Sequence, residues 1–390
     1  MNIVLIILGI VIFAAVWVGA NYFVARRLYQ STAYIFPKIK GKWFALFYAL
    51  LALPLVLAFT IQPLLPLNLG YALRVIGAYW AGVFVYLLAF LLIAELVVLI
   101  FKIAKAKKMK NIRFYVNAAA VVFTAAVSVY GFYNATQLRV SSYEVQLLRP
   151  LKGAPINIVF ISDLHLGEVH TERWLPRIVD GINKLEPDIV VILGDIFNDD
   201  FYIIRNPYRT SQQLRSINST YGVFACLGNH DAGPTLNSMM TFLEQSNVML
   251  LNEEHYIVDE RLILIGRLDP YPIGGFGNMQ RGELADILTA AHTDLYHRGL
   301  PLNLPVVVMD HNPINIREYE NNVDLVLFGH THRGQLFPGS LITRWMYVVD
   351  QGHYQTNTYS PHFIVTQGVH TWLMPMRVGS HNEIGSVIIR

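Results

Sequence analysis

Asp163 with His165, Asp195, Asn229 with His230 and Asp231, His311, and His330 with His332 form five short polar clusters, each at the end of an apolar run of strand length. Mixed imidazole and carboxylate ligands suit transition ions such as manganese, iron or zinc, whereas calcium and magnesium favour shells made wholly of oxygen. Residues two apart in an extended segment point the same way, so Asp163 and His165 can grip one ion, and His330 and His332 are again two apart. Asp195 can bridge two ions with its two oxygens, and Asn229 offers a neutral carbonyl oxygen. Two divalent ions against two ligand carboxylates leave about +2, which attracts phosphate and brings a bridging water's pKa from ~15.7 towards neutrality. The chemistry predicted is attack of hydroxide on phosphorus without a covalent phosphoenzyme. His230 is then placed to protonate the leaving oxygen, with Asp231 to orient it.

Taken singly, each piece is ordinary, since an Asp after a strand most often caps a helix or forms a turn. The joint set is not, because Gly194, Gly228 and Gly329 stand just before Asp195, Asn229 and His330, where the backbone has to turn tightly.

Ligands gathered from distant segments need a rigid edge. Residues 156–161, 189–193 and 223–227 are continuous apolar runs that stop at the polar clusters, with amphipathic stretches near 174–185 and 211–218 between them. Strand, loop, helix, strand is the rhythm of an α/β layer protein, in which loops at the carboxyl ends of the strands converge. Further runs at 262–265, 305–309, 323–328, 345–349, 362–366 and 386–389 predict more strands, enough for two packed sheets.

With all five clusters present in order, residues 156–390 resemble the calcineurin-like metallophosphoesterase family, in particular its membrane-anchored members. The resemblance implies a four-layer αββα sandwich of two mixed β-sheets. It implies two divalent ions, the first held by Asp163, His165, Asp195 and His332, and the second by Asp195, Asn229, His311 and His330. The family's catalytic histidine falls on His230. Asp310 departs from the pattern, since a serine or another small residue is common before the following histidine. Some membrane-associated relatives cleave the pyrophosphate of a UDP-linked diacylated glucosamine in lipid A synthesis, which is one alternative; a silent phosphate-binding receptor is another.

The charge is divided along the chain. Of 30 Lys and Arg and 27 Asp and Glu, residues 1–153 hold 15 basic against Glu95 and Glu144 alone, and the rest holds 15 basic against 25 acidic. A hydrophobic content of 54% is too high for one soluble domain of 390 residues and predicts a membrane part and a globular part. Four apolar stretches, 3–24, 43–65, 73–101 and 112–133, are long enough to cross a hydrocarbon core. The first has no Lys or Arg before it and is followed by Arg26-Arg27, so it reads as a retained span and not a cleaved signal. The expected order is a transmembrane region 1–135, a linker 136–155 and a catalytic domain 156–390.

Basic residues cluster between spans, where topology explains them better than a nucleic-acid partner. Arg26, Arg27, Lys38, Lys40 and Lys42 follow the first span, and Lys102, Lys105, Lys107, Lys108, Lys110 and Arg113 follow the third, while the connection from the second to the third has only Arg74, at the start of the third. These loops are therefore expected in the cytoplasm and the catalytic domain outside it, which argues against a cytoplasmic nucleotide substrate. Glu95, the acidic residue within the spans, reads as an interfacial side chain near Lys102 without a buried partner. Pro54, Pro63 and Pro66 are expected to kink or end the second span.

Two loops, 197–205 and 267–281 with Tyr271 and Phe276, are candidates to overhang the ions. Apolar loops beside a phosphate site near a bilayer suit an amphiphile with a phosphate head group, a lipid-linked ester, as well as ordinary packing. Arg333 and Arg377 are candidate phosphate contacts because guanidinium forks fit phosphate oxygens. The remaining histidines read as ordinary hydrogen-bonding residues, and Cys226 as a small core residue.

Overall fold

The computed structural model describes residues 3–61, 64–104, 111–320 and 322–390. The chain divides into two compact units, 1–132 with 374–376, and 133–373 with 377–390.

Among the described residues of the first unit run the α-helices α1 (Ile3–Ile35), α2 (Gly41–Thr60), α3 (Leu67–Ile103) and α4 (Ile112–Asn134), the last ending just past it. All four are long and apolar enough to cross a membrane. Val24, Tyr48, Phe84, Leu87 and Leu91 are buried between them, while Phe13, Leu50, Phe59 and Val122 are exposed. Large apolar side chains facing outward suit lipid. A Cβ on Gly77 would lie 2.5 Å from Leu55 Cα, so this glycine lets α2 and α3 approach closely. Pro54 lies within α2 and Pro66 immediately precedes α3, whereas Pro63 and Lys105 to Lys110 of the basic loop lie outside the described residues. Glu95 corrects the expectation of an unpartnered carboxylate. It pairs with Arg27 at 2.9 Å and Arg113 at 3.3 Å, tying α1, α3 and α4 together. The partners come from helices distant in sequence, which a local reading around Lys102 does not reach.

In the second unit the first sheet runs β1 (Leu138–Val145), β12 (Asn382–Ile389), β2 (Ile156–Ile161), β3 (Ile189–Leu193), β4 (Val223–Cys226), β5 (Val248–Leu250). The second runs β10 (Gly352–Tyr354), β11 (His362–Val365), β9 (Leu325–Phe328), β8 (Val306–Met309), β7 (Leu262–Gly266), β6 (Glu254–Val258). Both are mixed: β2 to β5 are parallel with β12 antiparallel to β2, and β7, β8, β9 and β11 are parallel with antiparallel edges.

Alternation along the buried strands makes the layers. Ile158, Phe160, Val191, Phe224 and Cys226 meet Leu262, Leu264, Val307, Met309 and Leu327 between the sheets. The opposite residues of the first sheet, Val159, Ile161, Val190 and Ile192, pack on α5 (Thr171–Asn183), α6 (Pro207–Arg215) and α7 (Leu236–Gln245). Those of the second, Ile263, Ile265, Val306 and Val326, pack on α8 (Leu284–Arg298). The result is the expected four-layer αββα sandwich.

Two elements differ from expectation. Residues 138–145, within the stretch read as linker, form β1 and pair along their whole length with β12, so the unit begins at Tyr133 instead of 156. Arg139, Ser141, Ser142 and Glu144 leave this edge strand too polar to stand out. Residues 345–349, read as a strand, are instead the end of α9 (Gly339–Met346) and an unpaired stretch after it.

Candidate metal centre

The parallel strands deliver their carboxyl ends side by side, and the polar clusters begin there. β2 leads to Asp163 and His165, β3 to Asp195, β4 to Asn229 and His230, β8 to His311, and β9 to His330 and His332. Backbone bonds lock these loops together: Asp163 N donates to Gly194 O, His165 N to Asp195 O, and Gly329 N to His311 O. Asp163, His165, Asp195, His330 and His332 all have positive φ, between 45° and 70°. Left-handed backbone at non-glycine residues is costly and persists where the surroundings enforce it. A Cβ on Gly194 would meet Gly228 N at 2.6 Å and His311 Nδ1 at 2.7 Å, so only glycine fits there.

Two groups of ligand atoms result. Asp163, His165 and His332 form one and Asp195, His311 and His330 the other, the ligand atoms of each lying within 4.8 Å of one another. In the first, His332 Nε2 is 3.2 Å from Asp163 Oδ1 and 3.3 Å from His165 Nε2. In the second, His311 Nε2 is 3.2 Å from Asp195 Oδ2 and 3.2 Å from His330 Nδ1. His311 Nδ1–H donates to Leu193 O at 2.7 Å, which fixes the tautomer that leaves Nε2 free to ligate.

Asp195 joins the groups through one oxygen. Its Oδ2 is 3.9 Å from His165 Nε2 and 3.2 Å from His311 Nε2, while Oδ1 accepts from His230 N at 2.9 Å. The turn after β4 thus gives Oδ1 an N–H of its own. Asp163 divides its oxygens likewise: Oδ2 accepts from the Ser162 hydroxyl and from His330 N. Asn229 Oδ1 is buried without a hydrogen-bond partner, and Asp163 Oδ1 faces only the His332 imidazole, 3.2 Å away. Orphaned buried acceptors are costly unless something electropositive completes them, and a pair of divalent ions fits this donor set.

Two of the clustered imidazoles are held neutral. Burial pushes His165 down to about 3 and His330 down to about 4, so both imidazoles are neutral and able to ligate at ordinary pH. Burial would raise the Asp195 carboxyl, but His311 outweighs it and holds the group well below the usual range.

His230 stands beside this cluster, its ring 5.3 Å from that of His165. Its Nδ1 lies 2.8 Å from Asp199 Oδ1. Burial alone would lower its pKa, but the Asp199 hydrogen bond and the Asp195 charge outweigh burial and raise it. Asp199, not Asp231, therefore orients the ring. The Asp231 carboxylate turns the other way, accepting from Phe197 N at 2.7 Å and Gly228 N at 2.9 Å, and so staples the β3 and β4 loops. Burial first, and Asp195 second, pushes it up to about 7.

Arg377 is likewise no substrate contact. Its guanidinium is fully buried and donates to Asn382 Oδ1, Ser380 Oγ and the carbonyls of His332, Gly368 and His370. It braces the His332 loop. Arg333, also in left-handed backbone, directly follows the candidate ligand His332 in sequence and has its Nε buried without a partner. Phe197 and Phe276 pack in the core instead of overhanging the ions, while Tyr271 is exposed. The ring beside His230 that sequence reasoning missed is Trp372, 5.8 Å away and 41% exposed. Asp310 points away from the cluster to Arg281 and Tyr319.

The family model described as calcineurin-like phosphoesterase matches residues 156–334. An uncharacterized metallophosphoesterase of Aquifex aeolicus is 30% identical over 265 residues, 68% of this chain and 96% of the relative. A zebrafish (Danio rerio) transmembrane protein with metallophosphoesterase domain is 28% identical over 291 residues, 70% of this chain and 62% of the relative. An uncharacterized metallophosphoesterase of Campylobacter jejuni is 29% identical over 246 residues, 63% of this chain and 61% of the relative. The chain thus spans about three fifths of the length of the last two.

Proposed function

Because the chain belongs to the calcineurin-like phosphoesterase family, we propose that residues 133–390 hydrolyse a phosphate ester or pyrophosphate with the help of two divalent transition ions, while α1 to α4 anchor the protein in a membrane. The observation that carries this reading is the convergence of two ligand groups on the single oxygen Asp195 Oδ2. Asp163 Oδ1, His165, Asp195 and His332 would hold the first ion, and Asp195, Asn229 Oδ1, His311 Nε2 and His330 Nδ1 the second; manganese, iron and zinc all suit the set. When bound, such ions polarise a phosphoryl oxygen and lower the pKa of water.

The chain's own residues do the rest. Asp199 accepts from His230 Nδ1–H, which leaves the proton at Nε2 for the leaving oxygen. Arg333 supplies a further cation for phosphate oxygens. A lipid-linked ester is the favoured substrate class, on the strength of the half-exposed Trp372 beside His230 and of the membrane helices. The net negative charge of the second half speaks against nucleic acid. The basic loops after α1 and α3 support an extracytoplasmic site on a multi-pass protein.

Metal analysis of the purified full chain, with a screen of phospholipids, simple phosphodiesters and nucleotide diphosphate sugars, tests the proposal. About two divalent ions per chain and turnover of an ester are expected. A fully loaded chain inert on every ester, yet binding phosphate, would make it a receptor.

A further inference from the structure

α9 is an amphipathic helix packed the wrong way round for a soluble domain. Its buried residue is Ser340, and Thr343 Oγ1 donates to Asp350 Oδ2 at 2.7 Å. Leu341, Ile342, Trp345 and Met346 face outward, with Trp345 86% exposed, and Val348 just beyond the helix is exposed as well. Folding normally buries such residues. This polar base is tied to the metal loop: Thr331, between His330 and His332, donates its hydroxyl to Asp350 O at 2.7 Å. The Tyr347 ring, next in the chain, is 6.2 Å from that of His330. The outward apolar face therefore begins at the rim of the candidate site.

We propose that the exposed face of α9 docks into the interfacial zone of a lipid bilayer, holding the metal centre at the level of lipid phosphates. Three observations choose a bilayer over a protein partner. The same chain carries four helices able to cross a membrane, and only three residues separate α4 from β1, so bilayer is always within reach. Trp345 forms the most exposed part of the face, and tryptophan favours the boundary between headgroup and acyl chain. Arg344 beside it is exposed, placing a cation where anionic headgroups would lie. This deepens the lipid-linked reading above and rests on it only for the substrate, not for the docking.

The test uses the full chain, one copy per nanodisc of phosphatidylcholine and phosphatidylglycerol. Cys226 is buried, so an environment-sensitive fluorophore can be placed on Ile342→Cys or Trp345→Cys, with exposed Tyr296→Cys on α8 as control. Nitroxide lipids should remove more than about half the emission at 342 and 345 and leave 296 unchanged. The double substitution Leu341→Glu with Trp345→Glu should leave hydrolysis of a soluble nitrophenyl phosphodiester within about twofold, while turnover of a phosphate ester embedded in the disc falls about tenfold or more. Absence of quenching at 342 and 345 overturns the docking, whatever the enzyme hydrolyses. An emission shift at 342 and 345 that appears only with two copies per disc, without quenching, also overturns it, in favour of a second copy. Quenching without turnover of any embedded ester upholds the docking and removes the lipid-linked substrate.

Discussion

Asp199 and His230 hold each other at two points: Asp199 Oδ1 lies 2.8 Å from the ring Nδ1, and Asp199 N donates to His230 O at 3.1 Å. The second bond fixes the loop, so the first is aimed before substrate arrives. Burial opposes the charged ring, and Asp199 is the main reason its pKa is raised instead. A general acid must be protonated, so the rate holds below that raised pKa and falls as pH rises through it.

Asp199→Asn removes the raising influence while burial remains, so the alkaline limb of the pH profile should move to lower pH. At neutral pH the rate should fall by about 10²–10⁴ for an alkyl ester and far less for a nitrophenyl ester, whose leaving oxygen needs little protonation. Metal content should not change. Equal losses on both esters would mean that Asp199 acts on the ions or the fold instead.

Asp231 stands next to His230 in sequence and has the opposite assignment. Asp231→Ala strands Phe197 N and Gly228 N, which should cost about 2–4 kcal/mol of stability from two unsatisfied buried donors. Its alkaline limb should move less than that of Asp199→Asn, because the Asp231 charge is the smallest of the raising influences on His230. Thermal unfolding and a pH profile on the same preparation separate the two aspartates; a limb moved as far as in Asp199→Asn would return the orienting role to Asp231.

Arg377 couples the chain beyond β11 to a ligand loop, donating to His332 O at 3.1 Å with Nη2 3.2 Å from His332 Nδ1. Arg377→Lys keeps a charge but loses the fork. The His332 group should then bind its ion about 10–100-fold more weakly while the His311 group keeps its own. Titration with metal, read by content per chain, should show one tight and one weakened ion. Uniform weakening of both would count against the brace.

How much of this is legible in sequence depends on what each residue's role leaves behind. The candidate ligands are legible because each joins a chemically particular side chain to an apolar run, and the structure gathers Asp163, His165 and His332 in one group and Asp195, His311 and His330 in another. Asp199 is not, because Asn198, Asp199 and Asp200 look alike in a polar loop and only its backbone, with φ of 61° at Asp199, selects one of them. Arg377 misleads for a related reason: an arginine near a phosphate site looks like a phosphate contact until its complete burial is known. The second unit's β1 hides behind its polar alternation, and Glu95 behind partners 68 and 18 residues away in sequence, Arg27 and Arg113. Local chemistry is visible in a string of residues; contacts between distant segments are not.

Removal of the ions should destabilise the second unit more than it would an ordinary surface site. Asp163 and Asp195 are carboxylates held below their usual range in a buried setting, Asn229 Oδ1 has no partner, and Asp163 Oδ1 faces only the candidate ligand His332. Ligation confined to the folded state adds stability as RT ln(1 + [L]/Kd), about 2.7 kcal/mol at a hundredfold excess over Kd. Chelation of the full chain should therefore lower the unfolding temperature of the catalytic unit, and manganese or zinc should restore it. Asp195→Asn keeps an oxygen for His230 N but loses the charge shared by both groups, so its unfolding temperature should hardly respond to chelation or metal. A parent protein equally indifferent to chelators would show that the orphaned oxygens are not completed by ions, and the metal centre would have to be abandoned.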